Sequence, residues 1–197
     1  MSSPQQTPMR GEALRNKVLS TALKLFSERG YFNTSIHDIR REAGVSTGAI
    51  YHHFQNKEAL AKSLYEDLLQ QMDRAIVDAC NNKTGCLEKS RAIIEKLFSL
   101  CLEQPRHMQF VLLAQHREYL PDEAPICSSR PFQSMKQVII QGIEAGEVRE
   151  MEPWVAASAM FGGALRMMNL QLDGALDRPV NDFLDDVVEC AWLAIKR

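Results

Sequence analysis

Apolar residues in this chain return every three or four positions and nowhere in sustained alternation. Leu14, Val18, Ala22, Leu25 and Phe26 form one such stripe. Leu60, Leu64, Leu68, Met72 and Ile76 form a second, and Phe183, Leu184, Val187, Val188, Ala191, Trp192 and Ile195 a third. This spacing winds onto one face of a helix, whereas half-buried strands need a period of two. The chain is therefore expected to be all-α, with about nine helices.

Residues 1–10 are polar, carry Pro4 and Pro8, and read as a disordered start. A helix follows from Glu12 to the stop at Gly30. Ser35 can cap Ile36 to Ala43, Ser46 can cap Thr47 to His53, and Asn56 can cap a long helix ending near the Asn81–Gly85 loop. Pro105 can start a helix running to about Tyr119, and Pro121, Pro125 and Pro131 punctuate a loop. Phe132 to Ile143 reads as a helix closing near Gly146. Pro153 opens a helix apolar almost all round to Leu172, a pattern normally buried. A last helix covers about 180–196.

Length and composition bound the function. The 197 residues suit one large domain or two small ones. No run of 18 apolar residues can span a bilayer, and no secretory signal is visible at the start. Five scattered cysteines without a C-x-x-C pair argue against a disulfide framework or a zinc site and fit a reducing, cytoplasmic setting. No Ser-His-Asp order, Gly-rich phosphate loop or metal-ligand spacing is present. His52 and His53 are neighbours, about 100° apart on a helix, and suit a shared metal poorly. An enzyme, a bound metal and a cofactor are not expected. The net charge of -2 hides a basic stretch: residues 1–65 hold nine Lys/Arg and five Asp/Glu. A positive lobe on an acidic chain suits contact with a polyanion.

The feature that carries chemistry is Ala43-Gly44-Val45-Ser46, a short joint between two short helices. Gly44 permits φ > 0 at the sharp turn, Val45 can plug the gap between the helices, and Ser46 caps the second helix. The free N–H groups of that helix would favour a phosphate, and its width fits a major groove. On spacing alone, a plain helical hairpin serves equally well. The second helix adds weight, because Ile50 and Phe54 share one face for packing while Thr47, Gly48, Tyr51 and His52 stay on or near the open one.

Residues from about 14 to 64 resemble the DNA-binding domain of TetR/AcrR-type transcriptional regulators. The resemblance lies in Ala22–Tyr31, Thr34–Ile39, Ala43–Phe54 and Asn56–Leu60, with Arg40 a departure where the family usually has a small residue. It implies that Thr47, Gly48 and Ala49 sit nearest the bases, that Tyr51, His52 and Lys57 hold phosphates, and that His37 touches a base or phosphate. It also implies that Ser35 bonds a phosphate, and that Ile39, Ala43, Val45, Ile50 and Phe54 are core. His53 reads as packing. The organisation implied is a helix-turn-helix domain over 11–65 and a helical ligand-binding and dimerisation domain over 66–197. Such a homodimer would bind a palindromic operator with half-sites about 34–36 Å apart or a multiple of that. A small molecule would release it, which makes a repressor the expected function.

Dimerisation has its own sequence support in the two apolar C-terminal helices and in Gly162, Gly163 and Ala164, which permit close backbone approach. Candidate pocket residues are Phe98, Met108, Phe110, Leu113, His116, Arg117, Trp154, Met160, Phe161, Arg166 and Met167. Large apolar residues with a few polar ones are what a pocket requires, and equally what a core requires. Arg166 is the one formal charge between Glu152 and Asp173. Buried, it needs an anion; otherwise it snorkels. The Met and aromatic content leans toward an apolar or amphipathic ligand. The alternative regulator is a thiol sensor using Cys80, Cys86, Cys101, Cys127 or Cys190, of which Cys127 lies near Arg130.

Overall fold

Local signals set most helix boundaries. Ser35 takes extended backbone before α2 (Ile36–Ala43), and its hydroxyl accepts from the Asp38 N–H while the Asp38 carboxylate accepts from the Ser35 N–H. This reciprocal pair satisfies two of the donors that a helix start leaves open. Gly44 ends α2 at φ 64°, ψ 39°, a left-handed conformation that favours glycine. Ser46 Oγ then accepts from the Ala49 N–H to start α3 (Thr47–His53), and Asn56 Oδ1 accepts from the Ala59 N–H at the start of α4 (Lys57–Ala79).

In this computed structural model residues 7–114 and 116–197 are described, with side chains from residue 11 onward. Among them are nine α-helices and no strand. Besides α2 to α4 these are α1 (Thr7–Arg29), α5 (Gly85–Glu103), α6 (Pro105–Leu112), α7 (Arg130–Glu144), α8 (Pro153–Leu172) and α9 (Leu184–Ile195). The expected disordered start is corrected for residues 7–10, which already belong to α1; residues 1–6 lie outside the described residues. The helix expected from Pro105 to Tyr119 is also corrected. It stops at Leu112 and is followed by a 3-10 turn at His116–Glu118. The last expected helix divides into a 3-10 turn at Val180–Phe183 and α9.

The chain forms two units. Of the described residues, the first combines those up to Asp67 with a return segment within 109–122; the second holds 68–108 and 123–197. The domain expectation, 11–65 and 66–197, does not include the return segment 109–122 in the first unit. The core of the first unit takes Val18, Ala22 and Leu25 from α1, Ile39 and Ala43 from α2, Ile50 from α3, and Leu60, Ala61 and Leu64 from α4. The return segment closes it with rings. Phe110 stacks on Phe26 at 6.1 Å, Tyr119 on Tyr31 at 3.9 Å, and His116 lies 4.0 Å from Tyr65.

The second unit packs α5, α7, α8 and α9 around Ile93, Leu97, Phe98, Ile139, Met160, Met168 and Ile195. Gly142 lets α7 press on α5: a Cβ there would lie 2.7 Å from Cys86 Cβ and Sγ. The chain end is tied back by the Arg149 N–H on the Ile195 carbonyl and the Arg197 N–H on the Glu147 carbonyl.

Candidate nucleic-acid interface

The second helix of the helix-turn-helix presents one packed and one open face. Ile50 and Phe54 are buried and fix α3 in the first unit, while Gly48, Tyr51 and His52 are exposed and Thr47 and Ala49 half-exposed. Tyr51 is a large side chain at 51% exposure, which a core role does not explain. A Cβ on Gly48 would meet nothing within 4 Å, so the helix tip is open to close approach. His37 is exposed on α2, and His53 is half-buried against the His52 ring at 5.1 Å. Val45, expected in the core, is half-buried.

Two expected phosphate ligands are otherwise engaged. The Ser35 hydroxyl donates to Asp38 Oδ2 at 2.5 Å while accepting from the Asp38 N–H. Those Ser35 hydrogen bonds hold the Asp38 carboxyl below its ordinary range. Lys57, expected to hold a phosphate, instead donates to the carbonyls of Tyr31 (3.1 Å) and Thr34 (3.0 Å) and lies 4.0 Å over the Tyr31 ring. Its ammonium pins the start of α4 to the α1–α2 loop, leaving one N–H uncommitted. Ser46, by contrast, uses its oxygen as an acceptor for the helix cap.

The pocket candidates divide between the two units. Phe110, Leu113, His116 and Arg117 belong to the first; Phe98, Met108, Trp154, Met160, Phe161, Arg166 and Met167 belong to the second. Phe98, Met108, Met160 and Phe161 are buried, and Leu113, Arg117 and Trp154 are exposed. Arg166 is exposed, which settles the choice posed by its sequence context without a buried anion. With Met167 it lines an apolar groove of about 540 Å³ between α8 and α9, alongside Gly163, Phe183, Asp186 and Val187. The expected burial of α8 therefore holds on one side only, since Val155, Gly162 and Gly163 face outward.

His116, a pocket candidate, is engaged within the first unit. Its Nε2 donates to the Phe110 carbonyl at 2.5 Å, which makes Nδ1 the acceptor for the Tyr119 hydroxyl at 2.7 Å. Burial pushes its pKa down, opposed by the backbone hydrogen bonds. Burial also raises the thiol pKa of Cys80 and Cys86, and that of Cys101 to about 11, which opposes thiolate reactivity at those three. Among the described residues no group of three or more His, Cys, Asp or Glu side chains can hold a metal. No helix of the described residues is long and apolar enough to cross a membrane.

A capped helix-turn-helix with an exposed second-helix face, joined to a larger helical unit, defines a DNA-binding regulator. Residues 18–64 match the bacterial regulatory proteins of the tetR family, and residues 65–197 match the tetracyclin repressor-like C-terminal domain. The chain belongs to the TetR family of bacterial regulatory proteins. It is 26% identical over 150 residues to the fatty acid metabolism regulator protein of Bacillus subtilis, covering 74% of this chain and 77% of that one. To the transcriptional repressor KstR2 of Mycolicibacterium smegmatis it is 28% identical over 116 residues, 59% of this chain and only 56% of that protein. Its fold matches the transcriptional regulator FadR from Bacillus subtilis in complex with stearoyl-CoA at a TM-score of 0.77 and 21% identity, covering 89% of this chain and 96% of the other.

Proposed function

We propose that this protein is a cytoplasmic homodimeric repressor that binds a palindromic operator and leaves it when an amphipathic, acyl-chain-bearing molecule binds the second unit. The observation that carries the DNA reading is the α3 face, where exposed Gly48, Tyr51 and His52 surround half-exposed Thr47 and Ala49 on a helix locked by Ile50 and Phe54. Thr47, Gly48 and Ala49 face the base edges; His37, Tyr51 and His52 take phosphates or base edges, joined by the Ser35 and Ser46 backbone region. Lys57 positions α4 rather than holding a phosphate as its main task.

The apolar outward flank of α8, with exposed Leu193 and Cys190 on α9, supports association with a second copy through the α8–α9 groove. The acyl-chain assignment is supported by the likeness to a regulator named for fatty acid metabolism. Release follows if the effector prefers a dimer whose reading helices no longer match successive major grooves.

The test is capture of fragmented genomic DNA by the purified protein at two salt concentrations, followed by addition of long-chain acyl-CoA. The expected result is a few palindromic sites that survive the higher salt and are released by the thioester. Even recovery across the genome that vanishes with salt reports non-specific electrostatics and refutes the operator reading. Specific sites indifferent to acyl-CoA refute the effector alone.

A further inference from the structure

We propose that Arg40 is a further DNA-contacting residue, its guanidinium taking one backbone phosphate beside α3. The inference rests on the reading of the α2–α3 face as the DNA interface.

The two flanks of α2 carry different charges to different neighbours. Glu42 accepts from Lys24 of α1 at 2.5 Å, so the Glu42 flank faces α1. Arg40 stands two positions away and points to the other side of the helix. It shares that side with His37, three positions before it, and Gly44, four positions after it, where the chain turns into α3. His37 is exposed on this flank.

Three of the cations nearby are paired and Arg40 is not. Lys24 is paired with Glu42, Arg41 with Asp38 at 2.8 Å, and Lys57 with two carbonyls. Arg40 has no ion pair among the described residues, and its Nε is buried without a hydrogen-bond partner. The residue is half-buried, so its stem is held by packing. A guanidinium on a held stem loses little freedom on binding, and its fork matches a phosphate. An anion on the DNA-facing side is the partner that this arrangement lacks.

The experiment measures the salt dependence of binding by the full chain to a mixed-sequence duplex and to a captured genomic site. Wild type, Arg40→Met and Arg40→Lys are compared, with thermal midpoints recorded for each. Loss of one phosphate contact lowers the slope of log K against log salt by about one. The expected result is that loss in Arg40→Met on both duplexes, an unchanged midpoint, and a slope kept by Arg40→Lys. A wild-type slope in Arg40→Met, whether or not its midpoint falls, assigns Arg40 to packing and overturns the proposal. If wild type itself shows no salt-dependent binding to either duplex, the DNA reading falls and this inference with it.

Discussion

Replacing Lys57 with Met separates two roles that one cation can play. The substitution keeps an apolar stem over the Tyr31 ring and removes the ammonium that now donates to the Tyr31 and Thr34 carbonyls at 3.1 and 3.0 Å. Charge-assisted hydrogen bonds each contribute about 1.5–3 kcal/mol, and half-exposure puts these at or below the lower end. The cation held 4.0 Å over the ring adds about 0.5–1 kcal/mol. Two such bonds and the ring contact sum to at most about 4 kcal/mol from the first unit, a drop on the order of 10 °C in its thermal midpoint. Operator affinity should fall because the α1–α2 loop and α4 lose their register, while the salt slope stays that of wild type. Calorimetry and a salt titration on captured DNA measure both. An unchanged midpoint with a slope lower by about one would show that Lys57 spends its charge on phosphate and refute the positioning role.

Three further outcomes follow from packing and protonation. Gly163→Leu places a side chain where a Cβ meets nothing within 4 Å, so the chain should still unfold cooperatively yet sediment as monomer, with a midpoint that no longer rises with protein concentration; a dimer that survives moves the interface off the α8–α9 groove. Gly142→Ala drives a Cβ into Cys86 and Val148 and should cost the second unit about 1–3 kcal/mol, read by denaturant unfolding. Burial lowers the His116 pKa in the fold, so the unfolded chain binds more protons and stability should decline as pH falls below about 6.5. His107 shifts in the same direction. In His116→Gln the decline assigned to the first unit should shrink; an undiminished decline removes His116 from the account.

The helix-turn-helix was legible because its signals are local. Ser35, Gly44 and Ser46 act within a few residues of themselves, so the bounds of α2 and α3 could be placed residue by residue. Lys57 was not legible: a cation at a helix start looks ready for phosphate, and its carbonyl partners come from a loop more than twenty residues upstream. His116 misled for a related reason. The helical spacing of Met108 and Val111 runs on toward Tyr119, yet the chain turns after Leu112 so that the imidazole reaches the Phe110 carbonyl. Size and polarity do not separate pocket from core: buried Phe98 and Met160 meet them as core residues, whereas outward Arg166 meets them on a surface groove. Which apolar face of α8 lies inside depends on α5, α7 and α9, and one helix's sequence does not contain that choice.

The return of residues 109–122 to the first unit changes what counts as a module in this chain. The polypeptide crosses between units three times, after residues 67, 108 and 122. A fragment ending at Asp67 would carry every helix-turn-helix residue and still lack the rings that cover Phe26, Tyr31 and Tyr65. On the ribosome, the first unit stays unfinished until residues 68–108 of the second unit have emerged. A chimera that exchanges sensors by cutting once in α4 would sever the reader from its own aromatic lining. A transplant that carries 109–122 along with the reader keeps that lining intact.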